Sequence, residues 1–240
     1  MNKHLPHSVY LIHGWAANGR IFDGLRPLLP ETWRVHTPDL PGHGNAPSDG
    51  TFDIIAAADA LAAEMPDNGD VVGWSLGGLG ALHLAIRHPH KVRRLCLTSS
   101  FAKFLAASDY PQGQSRTALD KMIALFEQDY PKYMRQFLQL QLLNTPDGEE
   151  IIASVLPDMV KNGAPAALKA ALDALSLADA RPFLRQIRQP VLLIYGGKDS
   201  ITPPRMGEYL EQHLPFANCR LSKKRHTPPS SATPPNFPTY

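Results

Sequence analysis

The residues most suited to chemistry in this sequence are Gly73-Trp74-Ser75-Leu76-Gly77, a match to G-x-S-x-G. The apolar pair Val71-Val72 leads into it and a helix-forming run, 79–87, leads out. The serine is therefore expected on a sharp strand-to-helix turn. Only small residues fit at 73 and 77, because a side chain there would collide with neighbouring backbone. Such a turn lifts the hydroxyl clear of the sheet. It also aims the N–H groups of the following helix at a reacting centre where negative charge develops.

A serine hydroxyl is a weak nucleophile until an imidazole takes its proton and a carboxylate orients that imidazole. On a strand–elbow–helix scaffold the acid and then the histidine follow the serine in the chain. Tyr195-Gly196-Gly197-Lys198-Asp199 follows a strand-like run, so Asp199 is the expected acid. Asp158, Asp173 and Asp179 fall in helical stretches and read as surface charges. Two histidines come after Asp199. His213 closes a helix, which leaves His226, in a loop position, as the expected base. Acyl transfer also needs two donors at the developing oxyanion. One is the N–H of Leu76; the other is the N–H of Trp15, in His13-Gly14-Trp15-Ala16 after the first strand, with the Trp15 ring walling the pocket. His13 itself is expected to bond loop carbonyls. A haloalkane-type mechanism is disfavoured, since it would need an aspartate at position 75.

These groups need a scaffold. Strand-like runs at 8–12, 33–37, 70–74, 92–98, 190–195 and 217–221 alternate with helical patterns at 21–29, 52–64, 77–87 and 204–213. That alternation predicts an α/β-hydrolase fold, a mostly parallel sheet flanked by helices. Between 107 and 177 the pattern is helical throughout, which predicts a helical lid insertion dividing a core made of 1–106 and 178–240.

At 240 residues the chain can bury one sizeable core, and a net charge of +2 with scattered Lys and Arg gives no nucleic-acid footprint. No apolar stretch is long enough for a membrane span or opens the chain as a leader would, so a cytoplasmic location is expected. Histidine spacing suggests no metal, and no cofactor is expected. Cys96 and Cys219 lie in strand-like runs and read as buried thiols.

Taken together, His13-Gly14-Trp15, Asp39-Leu40-Pro41-Gly42-His43-Gly44, Gly73-Trp74-Ser75-Leu76-Gly77-Gly78 and Tyr195-Gly196-Gly197-Lys198-Asp199 resemble the biotin-pathway carboxylesterases that hydrolyse pimeloyl-acyl-carrier-protein methyl ester. The resemblance runs from residue 8 to about 221. It includes Phe137-Leu138-Gln139-Leu140-Gln141, which is similar to that family's substrate-contacting helix. It implies a substrate site of Trp15, Ser75, Leu76, 137–141 and His226, with an acyl carrier protein as partner and a monomeric enzyme. Carrier proteins are acidic, so Lys132 and Arg135, and more weakly Lys161 and Lys169, are expected to face the carrier.

The ending departs from that family. There the histidine lies in a run like Lys-Ala-Ala-His-Ala-Pro-Phe followed by a helix. Here Lys223-Lys224-Arg225-His226-Thr227-Pro228-Pro229 leads into 227–240, which has five prolines and no charge. With suitable codons, a two-nucleotide frame shift near Leu221 turns 222–237 into Glu-Lys-Ala-Ala-His-Ala-Pro-Phe-Leu-Ser-His-Ala-Ala-Glu-Phe. A frame shift is therefore expected, and a gene sequence whose codons do not permit that string would refute it. Two other functional readings stay open: a short-chain esterase or carbon–carbon hydrolase acting on a small soluble substrate, and a chain whose altered tail impairs catalysis.

Overall fold

A computed structural model describes residues 7–142, 147–162 and 165–222. Six parallel strands form one sheet: β1 (Ser8–Ile12), β2 (Arg34–His36), β3 (Gly69–Trp74), β4 (Val92–Thr98), β5 (Val191–Gly196) and β6 (Ala217–Ser222). Their order is β2-β1-β3-β4-β5-β6. The chain reverses direction across the sheet between β1 and β3, so the loops leaving those two strands part from one another. In open parallel sheets, ligands bind at such a switch point, beyond the carboxyl ends of the strands.

The middle strands are largely apolar because helices cover both faces, with Asp70 of β3 buried in ion pairs to Arg93 and Arg94. Every residue of β3 is buried. Behind it runs α2 (Leu76–Arg87), buried from Leu76 to Ala85. The alanine-rich α1 (Ile54–Glu64) packs on α2, its first turn capped by the Asp53 carboxylate, which accepts from the N–H groups of Ile55 and Ala56. α7 (Pro204–His213) lies against β5 and β6.

Between β4 and β5 the chain forms α3 (Arg116–Gln128), α4 (Tyr130–Gln141), α5 (Gly148–Asn162) and α6 (Pro165–Leu177). The helical periodicity read from 107 onward begins at Arg116. Before it, residues 105–114 fold back on themselves through isolated bridges, Leu105 with Gln114 and Ala107 with Tyr110. The helix expected at 21–29 is two short 3-10 turns, Gly19–Phe22 and Arg26–Leu28. Gly24 interrupts that stretch, and Pro27 and Pro30 cannot donate the hydrogen bonds a continuous helix needs there.

Both cysteines are free thiols. Burial pushes the Cys96 thiol up to about 12 and Cys219 up to about 11, so neither is a thiolate near neutrality. No helix among the described residues is long and apolar enough to cross a membrane.

Candidate active site

Ser75 sits where β3 turns into α2, with φ 53° and ψ −117°. This is a left-handed conformation that costs a serine roughly 1–3 kcal/mol and persists only where the surroundings hold it. Four backbone-directed bonds do so. The Ser75 N–H donates to Thr98 O at 3.1 Å, and the Ser75 carbonyl accepts from Gly78 N at 2.9 Å, Leu79 N at 3.2 Å and the Ser100 hydroxyl at 3.1 Å. The glycines on either side are steric necessities. A Cβ at Gly73 would lie 2.6 Å from the Gly78 Cα, and one at Gly77 would run into the carbonyl oxygens of Ile12 and His13.

The loop after β1 comes alongside. A Cβ at Gly14 would lie 3.2 Å from the Ser75 Cβ, so this loop passes the nucleophile as closely as backbone can. The loop is braced by His13, which is fully buried. The ring's Nδ1 bonds the Gly14 carbonyl at 2.8 Å and its Nε2 accepts from the Leu40 N–H at 2.9 Å, which requires the neutral Nδ1–H tautomer. Burial and the neighbouring His43 push His13 down to about 3.

That shift has a consequence for acid stability. An unfolded histidine titrates near 6.5 and the folded one near 3, so the contribution is complete above pH 6.5 and is lost as pH falls through that window. At about 1.4 kcal/mol per pH unit, His13 alone is expected to cost about 2 kcal/mol between pH 6.5 and 5. Burial lowers His43 and His83 as well and adds to the loss. Urea-unfolding midpoints at the two pH values measure this; a midpoint that stays put contradicts it.

Trp15 follows Gly14. Its indole N–H donates to the Leu168 carbonyl in α6 at 2.9 Å, and its ring meets Phe126 at 4.8 Å and Phe137 at 5.8 Å. The loop carrying one expected oxyanion donor is thereby tied to three helices of the insertion. Leu76 carries the other and opens α2, so its N–H has no intrahelical acceptor. Arg20 adds a further tie by pairing with Asp158 in α5.

Asp199 lies beyond β5, is buried, and is heavily hydrogen-bonded. One carboxylate oxygen accepts from the N–H groups of Ile201 and Thr202, both at 2.9 Å. The other accepts from the hydroxyls of Ser99 at 3.0 Å and Thr202 at 2.9 Å. Ser99 and Ser100, just after β4, thus join Asp199 to the turn at Ser75: Ser99 holds Asp199, and Ser100 holds the Ser75 carbonyl. Ser99, Ser100 and Thr202 were not expected as site residues. The only hint was the run Thr98-Ser99-Ser100 closing an apolar strand. The expected base, His226, lies outside the described residues.

The insertion presents its expected contact residues unevenly. Phe137 is half-buried against Trp15 and Phe126, Leu138 is buried, and Gln141 is half-buried. Gln139 and Leu140 are exposed, with Gln139 donating to Glu149 at 3.0 Å. Lys132 extends over the Tyr133 ring, Arg135 pairs with Glu149 at 2.6 Å, and Lys161 is exposed. Lys169 pairs with Asp173 at 3.1 Å. A cleft of about 330 Å³ opens beside Trp15, walled by Phe126, Tyr130 and Leu172, with Glu127 and Lys169 also lining it. Among the described residues no cluster of His, Cys, Asp and Glu is arranged to hold a metal ion.

Residues 7–230 match the family described as alpha/beta hydrolase fold. The chain is 58% identical to the pimeloyl-[acyl-carrier protein] methyl ester esterase of Neisseria meningitidis serogroup C, over 94% of this chain and 90% of that protein. It is 37% identical to the enzyme of the same name from Chromobacterium violaceum, over 87% of this chain and 82% of the other. The chain belongs to the pimeloyl-[acyl-carrier protein] methyl ester esterase family. Among solved structures, an esterase from Exiguobacterium antarcticum superposes with a TM-score of 0.81 at 24% identity, covering 90% of this chain and 82% of that one. An enol-lactonase from Burkholderia xenovorans gives 0.77 at 19%, covering 94% and 86%. At such identities these two likenesses concern the fold alone.

Proposed function

We propose that this chain is a serine carboxylesterase that hydrolyses the methyl ester of pimeloyl-acyl-carrier protein, giving pimeloyl-acyl-carrier protein and methanol in biotin synthesis. The observation that carries the reading is the 58% identity to an esterase of that name over nearly the whole chain, with Ser75 held on its turn.

Chemically, the Ser75 hydroxyl attacks the methyl ester carbonyl while His226 takes its proton. The N–H groups of Trp15 and Leu76 receive the oxyanion. Collapse expels methoxide, which leaves as methanol with the proton His226 returns, and an acyl-enzyme remains. Water, deprotonated by His226, then attacks the same carbonyl, and Ser75 leaves with the free carboxylate as product. Asp199 orients the imidazole and stabilises its cation. The helices between β4 and β5 serve as a lid, with Phe137, Leu138 and Gln141 toward the acyl chain and Gln139 and Leu140 nearer the carrier. Lys132 and Arg135 offer positive charge to the acidic carrier, acting by steering more than by tight pairing. The enzyme is proposed to work as a cytoplasmic monomer.

Substrate preference tests the reading. Methanol release from the carrier-bound ester is expected to exceed that from methyl butyrate by at least about 100-fold in kcat/KM, since remote binding energy contributes to turnover. Equal rates for the two would make this a short-chain esterase instead.

A further inference from the structure

Tyr130 carries a hydroxyl to which the chemistry above assigns no task. The residue opens α4 directly after the capping Asp129, and its ring lies 6.0 Å from Phe126 on the wall of the cleft beside Trp15. The oxygen is buried, and among the described residues it meets no hydrogen-bonding partner. Burial raises the group above its ordinary titration range, so it stays a neutral donor. Buried phenols almost always find a partner, and an unpartnered one is costly.

Gly14 abuts Ser75 and Trp15 follows it; the Trp15 and Phe126 rings lie 4.8 Å apart, and the Phe126 and Tyr130 rings 6.0 Å apart. Trp15 and Tyr130 both line this cleft, and Trp15 follows the glycine that abuts Ser75. Ile123, Leu168 and Leu172 complete the wall and offer no donor. Lys169, at the same cleft, is already engaged by Asp173.

We propose that the Tyr130 hydroxyl donates a hydrogen bond to the carbonyl at the far end of the bound acyl chain, so that Tyr130 selects chains carrying a second carbonyl. The identity of that carbonyl, a thioester, rests on the function proposed above. Tyr130 is thus a specificity-determining residue, remote from the bond that breaks.

The test is equilibrium binding to Ser75→Ala, which removes turnover from the measurement. Two matched ligands are titrated: the pantetheine thioester of monomethyl pimelate, and its thioether counterpart with CH₂ in place of the thioester carbonyl. Ser75→Ala is expected to bind the thioester about tenfold more tightly, the yield of one hydrogen bond to a group otherwise left unpaired. Adding Tyr130→Phe should abolish that preference without lowering the melting temperature of the unliganded protein. Equal weakening toward both ligands, an undiminished preference, no binding of either ligand, or a lower melting temperature would each overturn the proposal. Methanol release by the unmutated chain against the Ser75→Ala blank reports separately on the esterase reading.

Discussion

Replacing Ser75 with alanine is expected to lower methanol release by at least about 10⁴-fold while leaving the melting temperature nearly unchanged. The fold-neutral half of this expectation comes from how the residue is held. The bonds that brace Ser75 run through its own backbone N–H and carbonyl, to Thr98, Gly78, Leu79 and Ser100. Alanine keeps all of them and has the same Cβ, so the strain at φ 53° is unaltered. What is removed is the oxygen proposed to form the acyl-enzyme. Rate and melting temperature together read the outcome. A variant retaining activity within tenfold of the parent would show that Ser75 is not the nucleophile.

Asp199→Asn is expected to lower kcat by about 10³–10⁴-fold, again with little loss of fold. The hydrogen bonds explain why the protein should accept an amide. The asparagine oxygen can stay with the N–H groups of Ile201 and Thr202, which only donate. The amide nitrogen then faces the hydroxyls of Ser99 and Thr202, which can rotate to accept. The negative charge that stabilises a protonated base is gone, however, and so is the acceptor that fixes its tautomer. A pH–rate profile with kcat within a factor of about ten of the parent would remove Asp199 from the catalytic group.

Much of this was readable from residue types because local backbone demands are severe. The turn at Ser75 admits only glycine at 73 and 77, and the sequence has glycine there. The alternation of elements likewise follows from burial, since β3 is covered on both faces and is mostly apolar. The stretch 21–29 misleads because Ile21, Leu25, Leu28 and Leu29 fall at helical spacing while Gly24, Pro27 and Pro30 deny a continuous helix. Ser99 and Ser100 left little trace because their bonds to Asp199 and Ser75 join distant parts of the chain, where spacing says nothing, and Thr202 because its bonds are local to the loop after Asp199. The run 137–141 does not lie on one face of its helix: Phe137 and Gln141 are half-buried, Leu138 is buried, and Gln139 and Leu140 are exposed. Successive helical residues diverge, so Gln139, two positions on from Phe137, turns outward while Phe137 meets Trp15.

The position of the helical insertion also bears on how the molecule assembles. Leu95–Thr98 in β4 pair directly with Val191–Ile194 in β5, although roughly ninety residues separate the two strands. An unstructured segment of that length must give up substantial chain entropy before those strands gain anything from meeting. Helices α3–α6 shorten the excursion if they condense first. During synthesis, β1 to β4 emerge early and can register with one another, whereas β5 and β6 have no sheet edge to join until that detour has closed. Asp199 therefore arrives later in synthesis than Ser75, and a nascent chain can hold the turn at Ser75 well before the proposed acid is in place.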